Sequence, residues 1–75
     1  MKRTRFHKAL LMMLIDKGYD HGLKELCEGT GLSYNTLQKR VRQPRTIRAF
    51  EMLAIEKFLR LTSVESFELW ETIKG

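Results

Sequence analysis

The 75-residue chain has one cysteine, one proline and no apolar run longer than Ala9 to Ile15, and each scarcity closes off a class of function. A lone Cys27 excludes an internal disulfide and cannot build a cysteine-based metal site, which needs several ligands at fixed spacing. Ala9 to Ile15 is far too short to span a bilayer, and no small-residue cleavage site follows it, so neither a membrane span nor a signal peptide is expected. The expected compartment is the cytoplasm. With Pro44 the sole proline and no alternating β-branched runs, strands have little support and the fold class reads as all-α. Paired carboxylates, a nucleophile triad, a glycine-rich phosphate loop and a ligand cluster are also missing, so no enzyme, cofactor or metal is expected.

What is present describes one compact domain covering residues 1 to 75. Apolar residues make up 43% and charged ones 31%, with seven aromatics among them. That composition belongs to a folded chain, near the lower size limit at which a core holds without staples. The formal charge of +5 is unevenly placed. Met1 to Phe50 holds 11 Lys and Arg against 4 Asp and Glu, a net of +7, whereas the remainder holds 3 against 5, a net of −2. A basic half of this kind suits a polyanion such as nucleic acid.

Along the chain, a basic arm (Met1 to Arg3) precedes a first helix from about Thr4 to Lys17, with Phe6, Leu10, Met13 and Leu14 at helical spacing. Gly18 to Gly22 is turn chemistry, with Asp20 placed to cap a short second helix over about Leu23 to Gly29. Ser33 is an N-cap for a third helix reaching about Arg42, which Gln43-Pro44-Arg45 breaks. A fourth helix is expected from Thr46 to about Arg60 with two apolar stripes: Ile47, Phe50, Ala54, Phe58 and Leu61, then Met52, Ile55 and Leu59. Two stripes imply burial on both sides. Thr62 to Glu65 has the form of a capping box opening a fifth helix, with Val64, Phe67, Trp70 and Ile73 partly on one side.

The stretch GTGLSYNTLQKRVRQPR, Gly29 to Arg45, contains no acid. A helix closing at Gly29, a turn with positive φ at Gly31 and a helix opening at Ser33 make a helix-turn-helix over about 23 to 42. Leu23, Leu26, Cys27, Leu32, Leu37 and Val41 would pack its corner. On the third helix Leu37 and Val41 point one way, with Tyr34 on the border, while Asn35, Gln38, Lys39 and Arg42 point the other. Those four side-chain types match donors and acceptors on base edges in the major groove. Arg40, Arg45 and Arg48 flank the helix where backbone phosphates would pass.

Leu26-Cys27, Gly31-Leu32-Ser33, Thr36-Leu37, Pro44, the run Ile55-Glu56-Lys57-Phe58-Leu59 and Leu61-Thr62 together resemble the helix-turn-helix domains of the lambda repressor and Cro class. The likeness covers about Leu23 to Phe67. It implies a compact five-helix domain, commonly dimeric on DNA, whose helix from Ser33 to Arg42 enters the major groove. By position, Tyr34, Asn35, Gln38, Lys39 and Arg42 inherit base-reading roles, and Ser33 joins Arg40, Arg45 and Arg48 as phosphate-binding residues. Three positions depart from the family pattern: Leu23 stands where many members carry Gln, Cys27 where Ala is usual, and Arg40 where an apolar residue is usual.

The expected function is sequence-specific binding of double-stranded DNA by a transcriptional regulator, a repressor acting by operator occupancy, as a homodimer. RNA polymerase or another regulator is a further partner. The alternative is a protein-interaction module, antitoxin-like or anti-repressor, that uses the same fold; Glu65, Glu68 and Glu71 beside Phe67 and Trp70 favour it. Cys27 reads as a small buried residue, His7 and His21 as surface or capping groups without ligand-spaced partners, and Met12, Met13 and Met52 as core filling.

Overall fold

A computed structural model describes residues 3 to 74, so Met1 and Lys2 of the expected basic arm lie outside the described residues. The fold is all-α, with five helices and no strand among those residues: α1 (Arg5–Asp16), α2 (Leu23–Thr30), α3 (Tyr34–Arg42), α4 (Ala49–Leu59) and α5 (Ser63–Glu71). A single 3-10 turn, Pro44–Thr46, separates α3 from α4.

Local chemistry sets each boundary. Thr4 caps α1, its hydroxyl accepting the His7 N–H at 3.0 Å, and Phe6, Leu10 and Leu14 then fall on one buried stripe. α2 closes on Gly31 with φ +79, a conformation that glycine adopts without a Cβ penalty, and the Gly31 N–H bonds the Cys27 carbonyl. Ser33 opens α3 by accepting the Thr36 N–H at 3.1 Å. Thr62 and Glu65 form the expected reciprocal box at α5, with bonds of 2.9 and 3.1 Å.

The core consists of Phe6, Leu10 and Leu14 of α1, Leu23 and Leu26 of α2, Leu37 and Val41 of α3, Ile55 and Leu59 of α4, and Leu69 of α5. Every helix contributes. Each such side chain stabilises the fold by roughly 1.5–3 kcal/mol relative to exposure. α2 packs on both α3 and α4, while α1 packs on α3 and α5. Phe6 stacks on Trp70 with ring centroids 6.0 Å apart, and Tyr19 packs on Phe58 at 4.9 Å.

Several local expectations are corrected. Asp20 does not cap α2; its N-cap is Gly22, with no side-chain cap, and Glu25 instead accepts the His21 N–H at 2.9 Å. α4 begins at Ala49 rather than Thr46, because Pro44 to Thr46 is spent in the 3-10 turn. Its two stripes are not both buried: Ile55 and Leu59 are, whereas Phe50 is 61% exposed. On α5, Val64 and Phe67 face solvent and Leu69 takes the core position. Met12 is exposed, and Cys27 is half-buried rather than enclosed.

Candidate nucleic-acid interface

α3 is held from behind and open in front. Leu37 and Val41 are buried, anchoring the helix to the core, while Asn35, Lys39 and Arg42 are exposed and Gln38 is half-buried at the edge. Tyr34, on the border of the two faces, is 51% exposed. No carboxylate is interspersed on the helix, so its outward potential is positive. The five residues expected to read bases therefore lie on one side of one rigid element.

Three ties fix that element's position. The Thr4 hydroxyl donates to the Val41 carbonyl at 2.6 Å, joining the start of α1 to the last turn of α3. At the other end only the three residues Gly31 to Ser33 join α3 to α2, against which it packs. The third tie is Arg40, whose Nε donates to Glu51 Oε1 at 2.8 Å and whose Nη1 bonds Thr46 Oγ1 at 3.3 Å.

The four residues expected to bind phosphate are thus placed differently. Arg45 and Arg48 are exposed beside α3. The Ser33 hydroxyl is engaged in the cap, accepting from the Thr36 N–H and donating to Thr36 Oγ1 at 2.8 Å. Arg40 points into the seam between α3 and α4, with a side chain only 17% exposed, against a Glu51 carboxylate 2% exposed. Burial alone would raise the Glu51 pKa; bonds from Arg40 and the Arg48 N–H, with the charge of both arginines, outweigh it and hold the carboxyl below its usual range.

Two adjoining recesses bring Arg3, His7 and Lys24 beside residues of α3. The larger, about 840 Å³, lies between α1, the start of α2 and α3, with Lys24, His7, Tyr34 and Gln38 in its walls. The smaller, about 310 Å³, has Arg3, His7, Leu23, Gln38 and Arg42 around it. Burial, and then the nearby Arg3 charge, push the His7 pKa down. The only sequence signal for this grouping was the basic start of the chain; that α1 runs past the end of α3 was not readable from spacing.

Other reactive side chains sit apart. Burial raises the Cys27 thiol pKa, leaving it protonated and a poor nucleophile. Asp20, His21 and Glu25 are brought together at the α1–α2 turn, with Asp20 Oδ1 3.4 Å from His21 Nε2, so His21 does have ligand-type neighbours. The Glu25 oxygen that accepts the His21 N–H serves that turn's backbone.

Set against family models, curated proteins and solved structures, the chain matches none. Among the described residues no helix is long and apolar enough to cross a membrane.

Proposed function

We propose that this chain is a sequence-specific DNA-binding transcriptional regulator of the lambda repressor and Cro kind, acting by occupying an operator. The observation that carries the reading is the acid-free outward face of α3, with Tyr34, Asn35, Gln38, Lys39 and Arg42, backed by buried Leu37 and Val41. α2 and α3 act as a helix-turn-helix in which α3 enters the major groove and its first two turns meet base edges. Arg45 and Arg48 bind flanking phosphates; Arg40 serves by fixing α3 to α4.

The molecule extends 27 Å along its longest axis, less than the roughly 34 Å helical turn that separates half-sites. Reading two half-sites therefore takes two copies. Val64 and Phe67 are exposed on α5 and supply an apolar face for a homodimer, and Phe50 and Leu53 are exposed on α4. An alternative occupant of α5 is a different protein, favoured by Glu68 and Glu71 beside Phe67, all exposed; this is the interaction-module reading.

Binding to mixed-sequence duplex across a salt series tests the proposal. A regulator loses affinity steeply with salt, by about 0.9 decade per decade of salt for each phosphate neutralised. Affinity indifferent to salt, or no binding at low salt, contradicts it.

A further inference from the structure

The smaller recess beside α3 has the chemistry of an anion seat. Arg3 lines it from just before α1, His7 from the start of α1, Leu23 from α2, and Gln38 and Arg42 from α3. No carboxylate lines it among the described residues. The Thr4 to Val41 hydrogen bond holds its two walls together, because Thr4 adjoins Arg3 and Val41 adjoins Arg42. A void of about 310 Å³ admits a phosphodiester group but little more than the smallest ligand sites hold.

We infer that this recess seats one backbone phosphate of the bound duplex, gripped by Arg3 and Arg42, and that His7 takes up a proton as the phosphate enters. The inference rests on the reading of α3 as the DNA-facing helix. It moves Arg42, in the last turn of α3, from base reading to the backbone, in keeping with base contacts concentrating at the start of a recognition helix. Guanidinium groups suit the task, since their fork geometry matches phosphate oxygens.

The charges facing His7 decide the sign of the linkage. Arg3 approaches from the segment before α1 and Arg42 from α3; across the larger recess stand Lys24 and Glu28 of α2 and His21 of the turn, with Cys27 and Tyr34 as the other titratable groups. Burial, and then the Arg3 charge, hold the imidazole pKa below its ordinary value in the free protein. An incoming phosphate offsets the Arg3 charge beside the ring and favours the imidazolium, which then donates to it. Proton uptake on binding means that affinity rises as pH falls, by at most about tenfold per pH unit for one proton.

The test follows the His7 imidazole by NMR through a pH titration, free and with a short mixed-sequence duplex at low salt, and measures affinity at constant ionic strength. The duplex raises the His7 midpoint by about one pH unit, and affinity increases about threefold from about pH 7.5 to about pH 6. His7→Gln flattens that dependence and His21→Gln retains it. His7→Lys binds tightly at both ends, and Arg42→Ala weakens all duplexes alike. Spectral dispersion of each variant certifies its fold. A His7 midpoint unmoved by bound duplex, or a pH dependence that survives His7→Gln, overturns the seat and leaves the regulator reading standing. Absence of any binding by the wild type overturns both.

Discussion

Arg40 Nε donates to Glu51 Oε1 at 2.8 Å, and through that bond the third helix is fixed to the fourth. The same carboxylate oxygen accepts the Arg48 N–H at 2.8 Å, so one buried acid orders the end of α3 and the start of α4 together. Charge counting assigns Arg40 to phosphate binding, whereas its guanidinium is part of the frame that joins α3 to α4.

Glu51→Gln leaves the Arg40 guanidinium facing a neutral amide and costs about 2–3 kcal/mol in chemical denaturation. The acid limb follows from linkage. The folded-state pKa of Glu51 lies below its unfolded value, so its contribution is intact above the ordinary carboxylate range and is lost as pH falls through the depressed value. Stability of the wild type drops more steeply below about pH 4.5 than that of Glu51→Gln. Parallel acid limbs for the two proteins contradict the assignment.

Gly29 is a position of close approach. A Cβ there overlaps the edge atoms of the Phe58 ring, which is held in turn against Tyr19. Gly29→Ala gains helix propensity but displaces the ring, with a net loss of about 1–3 kcal/mol in thermal or denaturant unfolding. A stabilised Gly29→Ala shows that Phe58 swings aside freely.

Phe67 is 66% exposed, so Phe67→Glu leaves the unfolding free energy of the monomer within about 0.5 kcal/mol. Sedimentation equilibrium detects its effect on association. A dimer through α5 becomes monomeric, and affinity for a two-half-site duplex falls with it. Wild type and variant sedimenting alike as dimers place the interface elsewhere.

Much of this was legible in the sequence wherever a local signal fixes a local structure. Ser33 three residues before Thr36, the glycine at position 31 and the Thr62 to Glu65 pair each define a cap from adjacent residues, and all three are present. The buried positions of α1 and α3 follow from one apolar stripe each. On α4 apolar residues surround the helix, so periodicity does not say that Phe50 and Leu53 face outward. The fate of Arg40 depended on a partner eleven positions away across a turn, and the grouping of His7 with Arg42 on the crossing of α1 and α3. Spacing along the chain carries no signal for either.

The central claim, that the outward side of α3 reads base pairs, is tested most directly by selecting bound sequences from a random duplex pool, with wild type and Gln38→Ala side by side. The account predicts that the wild type enriches a short two-fold-symmetric site and that Gln38→Ala relaxes choice at one base pair per half-site by about 1–3 kcal/mol. A pool left unenriched by the wild type at modest ionic strength, or a site identical in the variant, contradicts it.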